Sequence, residues 1–262
     1  MATVVFLHAH PDDECFLTGG TMARLAAEGH RVVLVTATDG ALGEVPDGML
    51  AEGETLAARR AREVEASAKA LGVASLLLLG YRDSGMAGTD GNTAPGAFCT
   101  VDVEEAAARL AQVLQEEAAD ALVTYDENGG YGHPDHIQVH HVGMRAADLA
   151  GTPSVYLATI NREEVLRFIE QGAELGLAPE DLEGAPTPEE MATMGMPESE
   201  ITTTVDVSGH IPSKLAAMRC HETQVGDMGF FLRMPEHMFR HAFSCEHFVR
   251  MRPAEGPPDS LV

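Results

Sequence analysis

The chain has 262 residues, 45% of them hydrophobic, which is enough for one sizeable core. Seventeen basic residues against 41 acidic ones leave a net charge of −24 with no basic stripe to offset it, which argues against nucleic acid or an anionic membrane surface as a partner. Four scattered cysteines, Cys15, Cys99, Cys220 and Cys245, form no Cys-x-x-Cys pair, so neither a thiolate zinc site nor a disulfide framework is indicated, and no apolar run reaches the ~20 residues of a membrane span.

The opening MATVVFLHAH lacks a basic leader region and turns polar too early for a signal peptide, so a cytoplasmic protein is expected. Thr3–Leu7 is β-branched and aromatic, the composition of a buried strand. Thr18 to Glu28 has a helical pattern, with Thr18 as candidate cap and Gly29 as stop. Arg31–Thr36 is a second strand, Glu54–Leu71 a helix ending at Gly72, and Ser75–Leu79 a third strand. A helix over Val103–Glu117, a strand over Ala121–Tyr125, a helix over His136–Leu149 and a strand near Ser154–Thr159 follow. The alternation of near-continuous apolar strands with helices predicts an α/β fold with a mostly parallel, Rossmann-like sheet and helices on both faces. In such sheets ligands bind outside the C-terminal ends of the strands. The four unusual loops, His8–Glu14, Asp39–Glu44, Tyr81–Met86 and Asp126–His136, each follow a strand and so fall on that one edge.

Beyond Arg162 the periodicity weakens. Residues 170–200 hold nine acidic residues, no basic ones, four prolines and three methionines, the composition of an irregular acidic insertion: a solvated loop, or a lid over the site. Pro212–Gln224 looks helical, and a polar tail begins near Pro253. With no internal repeat, a single domain over 1–262 is expected; the oligomeric state stays open, a homo-oligomer included.

Two polar clusters carry the chemistry. In His10-Pro11-Asp12-Asp13 the proline stiffens the chain as it leaves the strand, and a His-x-x-Asp pair can give two ligands to zinc or iron(II). The second cluster, Glu127 to His136, follows Asn128-Gly129-Gly130 with another His-Pro-Asp and a further histidine. One more ligand from it completes a face of two histidines and a carboxylate with open positions for water and substrate. The remaining carboxylates and imidazoles then suit general-base and oxyanion roles in amide or ester hydrolysis. His136 and His140 also have the His-x-x-x-His spacing of zinc peptidases, but Ile137 stands where that motif needs glutamate, so His140 and His141 are better taken as helix-face residues. A dinucleotide site is disfavoured, since Asp12, Asp13 and Glu14 stand where glycines should meet pyrophosphate and Gly19-Gly20 lacks the spacing.

AHPDDE (Ala9–Glu14), YRDSGM (Tyr81–Met86), YDENGGYGHPDH (Tyr125–His136) and, more weakly, KLAAMRCHETQ (Lys214–Gln224) together resemble the LmbE-like, or PIG-L-type, metal-dependent N-deacetylases. The wording is closest to the branch of mycothiol metabolism, which includes the N-acetylglucosaminyl-inositol deacetylase and the mycothiol S-conjugate amidase. The resemblance implies a zinc enzyme, with iron(II) as the other ion these ligands accept, that hydrolyses the acetamide of an N-acetylated amino sugar. It implies His10, Asp13 and His136 as metal ligands and Asp12 as the base. It gives His133 the oxyanion, with Asp135 orienting it and Tyr131 contributing, and it makes Arg60 and Asp83 substrate contacts. Arg60 also stands three residues before Glu63, the spacing of a surface ion pair. The conjugate amidase is one alternative activity and a non-catalytic sugar-binding module another. Cys15 is expected as a buried small apolar residue. His221 and Gln224 are expected either in the pocket or in a helix packed on the sheet.

Overall fold

The computed structural model describes residues 1–172, 187–253 and 256–262. Five parallel strands come first: β1 (Thr3–His8), β2 (Arg31–Thr38), β3 (Ser75–Tyr81), β4 (Ala121–Tyr125) and β5 (Ser154–Thr159). Two antiparallel strands, β6 (Thr203–Asp206) and β7 (Cys245–Arg252), complete a seven-stranded sheet of order β3-β2-β1-β4-β5-β7-β6. β1 lies between β2 and β4, so the chain winds outward one way to β3 and then the other way from β4. The crevice between the C-terminal ends of β1 and β4 is the switch point where such sheets bind their ligands.

Alternate residues of β1 seed two cores, as a period of two in a doubly covered sheet requires. Val4 and Phe6 pack with Met22 and Leu25 of α2 (Gly19–Ala27), Val64 of α3 (Leu56–Ala70), and Ile211 and Met218 of the helix Ile211–Met218. Val5 and Leu7 pack on the other face with Leu110 and Leu114 of α4 (Val103–Glu116) and Val139 and Val142 of α5 (Pro134–Ala150). α5 ends at Gly151, whose φ of +68° is the left-handed cap that glycine takes without steric cost.

The order of strands and helices up to β5 is as expected, with three differences. Asp13–Leu17 is a short helix, α1, rather than loop. Thr18 does not cap α2: its hydroxyl bonds the His8 ring at 2.8 Å instead. Third, the C-terminal part adds the strands β6 and β7 and the helix Arg162–Glu170 (α6), beyond the elements expected from the sequence. Within the acidic segment, expected as a solvated loop or a lid, 173–186 lie outside the described residues, and its described part holds the short helices Pro188–Met191 and Glu198–Glu200. Among the described residues, no helix is long and apolar enough to cross a membrane.

Candidate metal centre

Each half of the site is built on a buried bolt. Where β1 ends, the His8 ring bonds the Tyr125 hydroxyl of β4 and the Thr18 hydroxyl, both at 2.8 Å. Burial lowers the His8 imidazole to about 4, so it is neutral at pH 7 and structural. The loop after β4 is folded around buried Asp126: Oδ1 accepts the N–H groups of Asn128 (3.1 Å) and Gly130 (2.8 Å), and Oδ2 accepts the Thr159 hydroxyl at 2.7 Å. Gly129 within it has φ +62°, and a Cβ there would fall 2.4 Å from the Cβ of His136, so only glycine lets the loop lie against α5. Pro134 occupies the first turn of α5, where a missing N–H costs nothing.

These two loops bring three atoms together. His10 Nδ1 lies 3.3 Å from Asp13 Oδ2, His136 Nε2 lies 3.3 Å from the same oxygen, and the two nitrogens are 3.3 Å apart. Ligand bonds of about 2.0–2.1 Å at tetrahedral angles separate ligand atoms by about 3.3–3.4 Å, so the set matches the spacing of a mononuclear tetrahedral site. The outer nitrogens are already committed. His136 Nδ1 donates to the Gly129 carbonyl (3.1 Å), and His10 Nε2 donates to Asp135 Oδ2 (3.2 Å) with Asp83 Oδ1 at 3.5 Å. Both inner nitrogens therefore face each other and a carboxylate, an arrangement that favours a positive charge between them, whether a proton or a metal ion. The electrostatics point the same way: burial alone would lower His10, but its bonds to Asp13, Asp135 and Asp83 hold it well above its ordinary value, so the ring favours the positive form beside these carboxylates. Burial would raise Asp13, but His136 and His10 hold it well below. The donor set thus fits a divalent metal such as zinc or iron(II).

The neighbours of this cluster depart from expectation in two places. Asp135 does not orient the His133 ring with its carboxylate. Its oxygens serve His10 and the N–H (2.9 Å) and hydroxyl of Ser84, while its backbone N–H donates to His133 Nδ1 at 3.1 Å. The reason is geometric: His133 is the N-cap of α5, its ring turned back to accept the Asp135 N–H, while the Asp135 side chain leaves the first turn toward His10 and Ser84. The second departure is Arg60. It is 3% exposed and forms no surface pair with Glu63; it meets Asp12 Oδ1 at 3.0 Å and donates to the carbonyls of Pro11 (2.5 Å) and Gly40 (2.8 Å). Glu63 is buried too, accepting the N–H and hydroxyl of Thr223 at 3.0 and 2.6 Å.

Asp12 sits between Arg60 and the cluster in a strained backbone conformation, φ +130°. Burial pushes its carboxyl up to about 6 against the pull of Arg60. The His133 ring, edge-on to His10 at 4.6 Å between centroids, is lowered to about 4 by burial and by its histidine neighbours. With Nδ1 accepting from Asp135 N–H, its neutral form carries the proton on Nε2. Tyr131 stands at the mouth, 44% exposed, its ring edge-on to His136 at 4.9 Å. Asp83 is buried and accepts the N–H groups of Leu42 (3.0 Å) and Gly85 (2.8 Å). Cys15 is buried as expected, and burial pushes its thiol well up. His140 bonds the Tyr125 carbonyl (2.9 Å) and His141 is exposed, both on the face of α5.

Ser84 and Asp126 enter the site's surroundings without a role assigned from the sequence, and Glu14 and His221, expected as supporting or pocket residues, enter as partners of each other. Ser84 was visible as part of YRDSGM. Asp126 carries the Asp-x-Asn-Gly pattern of a side-chain-stabilised turn. Glu14 and His221 are 207 positions apart, and nothing local links them.

The fold and this cluster define a class: a doubly wound α/β protein with a candidate mononuclear metal centre at its switch point. The model of the PIG-L (GlcNAc-PI de-N-acetylase) family matches residues 5–147, and the chain belongs to that family. A 1D-myo-inositol 2-acetamido-2-deoxy-alpha-D-glucopyranoside deacetylase of Thermomonospora curvata is 38% identical over 97% of this chain and 92% of its own. Among solved structures, the N,N'-diacetylchitobiose deacetylase of Pyrococcus horikoshii superposes with a TM-score of 0.61 at 24% identity, covering 95% of this chain and 83% of its own. The 4-carboxy-2-hydroxymuconate hydratase of Pseudomonas putida superposes with a TM-score of 0.60 at 18% identity, over 98% and 99%. A hydratase and a deacetylase on one fold show that the sheet alone does not decide the chemistry.

Proposed function

We propose that the chain is a cytoplasmic, zinc-dependent enzyme that hydrolyses the acetamide of an N-acetylated amino sugar to acetate and a free amine. The proposed substrate is a 2-acetamido-2-deoxyglucopyranoside linked to inositol, the compound named for the Thermomonospora curvata relative. The observation that carries the reading is the 3.3 Å convergence of two imidazole nitrogens and a carboxylate oxygen, with a second, partly buried carboxylate next in sequence.

His10, Asp13 and His136 would hold the ion, and Asp135, Asp83 and the Gly129 carbonyl keep their lone pairs turned inward. When bound, zinc supplies a Lewis acid for the acetamide carbonyl and makes a water acidic at neutral pH. Asp12 takes the proton of the attacking water: Arg60 holds one carboxylate oxygen, leaving the other for the proton, and a base near pH 6 accepts it readily at pH 7. His133 presents Nε2–H to the oxygen that becomes negative as the carbonyl carbon turns tetrahedral, and Tyr131 bounds the same space from the mouth. Collapse breaks the C–N bond, and the proton gathered by Asp12 goes to the leaving amine. For Arg60 and Asp83, both buried, the distances support a supporting task beside any contact with sugar: Arg60 fixes Asp12, and Asp83 fixes His10.

The test is amine release from N-acetylglucosaminyl-inositol by zinc-reconstituted protein, alongside a bimane-labelled thioether conjugate and a panel of other N-acetyl sugars. Turnover of the first well above the conjugate is expected. Faster cleavage of the conjugate would make the chain an amidase, and turnover of none by fully metallated protein would leave a binding module.

A further inference from the structure

Glu14 is wholly buried and is none of the residues assigned to the metal or to substrate. Its Oε2 accepts the backbone N–H of Asp12 at 2.9 Å. Its Oε1 accepts from His221 Nε2 at 2.7 Å and from the Ser67 hydroxyl of α3. His221 is equally buried and arrives just after the helix Ile211–Met218. The same short segment is anchored by Thr223 on Glu63 and by Gln224 Nε2 on the Glu44 carbonyl (3.0 Å). Asp12 is one of two non-glycine residues with positive φ among the described residues, the other being Ala118 at the opposite end of the sheet, beyond α4. A buried ion pair gives little net stability over apolar side chains of equal size, so stability alone does not account for this one. What an apolar pair could not do is accept the N–H of a strained residue and hold it there.

We infer that the buried Glu14–His221 pair, seated by Ser67, is a positioning device that fixes the Asp12 backbone so that its carboxylate stands beside the metal ligands. The inference rests on the reading of Asp12 as the base. Two restraints then act on one residue: Glu14 holds its backbone N–H, and Arg60 holds its carboxylate. His221 anchors Glu14 from a segment remote in sequence, which ties the C-terminal part of the chain to catalysis without contact with substrate.

The test compares His221→Met, which fills the volume but cannot donate, with His221→Gln, which can donate to Glu14, both in zinc-loaded protein checked for folding by circular dichroism. His221→Met should lower kcat about 10- to 100-fold, the usual scale for losing an outer partner of a metal site, with KM within about twofold and one zinc per chain retained. His221→Gln should recover most of that loss. In an Asp12→Ala background, His221→Met should change the residual kcat by less than about twofold, because a misplaced base no longer matters once the base is gone. The inference is overturned if Met and Gln behave alike, if zinc is lost, if the variants do not fold, or if His221→Met costs as much without Asp12 as with it. Near-normal turnover of Asp12→Ala alone would instead refute the base assignment, a result separate from the others.

Discussion

Gly129→Ala isolates how closely the metal geometry depends on one loop. The alanine meets two costs. At φ +62° the left-handed backbone costs an alanine about 1–2 kcal/mol. Its Cβ would also lie 2.4 Å from His136 Cβ, 2.7 Å from His136 C and 2.8 Å from Ile137 N, and two of these are backbone atoms that cannot swing away. Relief to ordinary contact needs a retreat of about 1 Å, several times the ~0.2 Å tolerance of a metal–ligand distance. The Gly129 carbonyl that holds His136 Nδ1 moves as well. Loss of an outer partner alone weakens metal binding about 10- to 100-fold, so at least that factor is expected in zinc affinity, read by competition with a chromogenic chelator. Gly151→Ala is the control: φ is +68°, nothing lies within 4 Å of its Cβ, and it caps the other end of the same helix. It should lose about 1–2 kcal/mol in urea denaturation of metal-free protein and bind zinc normally. If Gly129→Ala also bound zinc normally, or if Gly151→Ala weakened zinc as much, the clash at His136 would not be what sets the site.

His136→Ala should lose zinc and nearly all amine release, measured by metal analysis of the purified protein and by product assay, while its far-ultraviolet circular dichroism stays native; retained zinc would move the third ligand elsewhere. Arg60→Met should displace the acidic limb of kcat/KM toward higher pH. The sign follows from Arg60 lowering the Asp12 carboxyl: without the guanidinium the carboxyl holds its proton to higher pH, and the deprotonated base appears later. A limb that stays put or moves to lower pH would separate Arg60 from the base.

Much of this architecture was legible because its signals are local. β4 and β5 are continuous apolar runs, and their boundaries in the structure are those expected from the sequence. β7 was not, because Glu246, His247, Arg250 and Arg252 interrupt it. Glu246 belongs there for a tertiary reason: it accepts the N–H groups of Gly20 (2.8 Å) and Thr21 (2.7 Å) at the start of α2 and pairs with buried Lys214 at 2.7 Å. The motifs brought the right residues to one edge, but not their pairings. Arg60 and Glu63 have the spacing of a surface pair and take partners 48 and 160 positions away instead, in Asp12 and Thr223. Asp135, two residues from His133, serves His10 from 125 positions away. Spacing along a helix says which side chains can meet, and burial decides which of them do.

The same crevice in a dinucleotide fold offers backbone N–H groups to a pyrophosphate. Here those donors are turned inward. The N–H of His10 goes to Asp13 (2.7 Å), that of Asp12 to Glu14, those of Leu42 and Gly85 to Asp83, that of Ser84 to Asp135, and those of Asn128 and Gly130 to Asp126. Each bond neutralises part of a carboxylate and fixes its direction, so that acidic side chains can crowd at the end of a buried strand without repelling one another apart. What remains turned toward the crevice is two imidazole nitrogens, the Asp13 oxygen and the Asp12 carboxylate. Reversing the polarity of the loops, with the sheet unchanged, turns an anion-binding edge into one built for a cation and the water beside it.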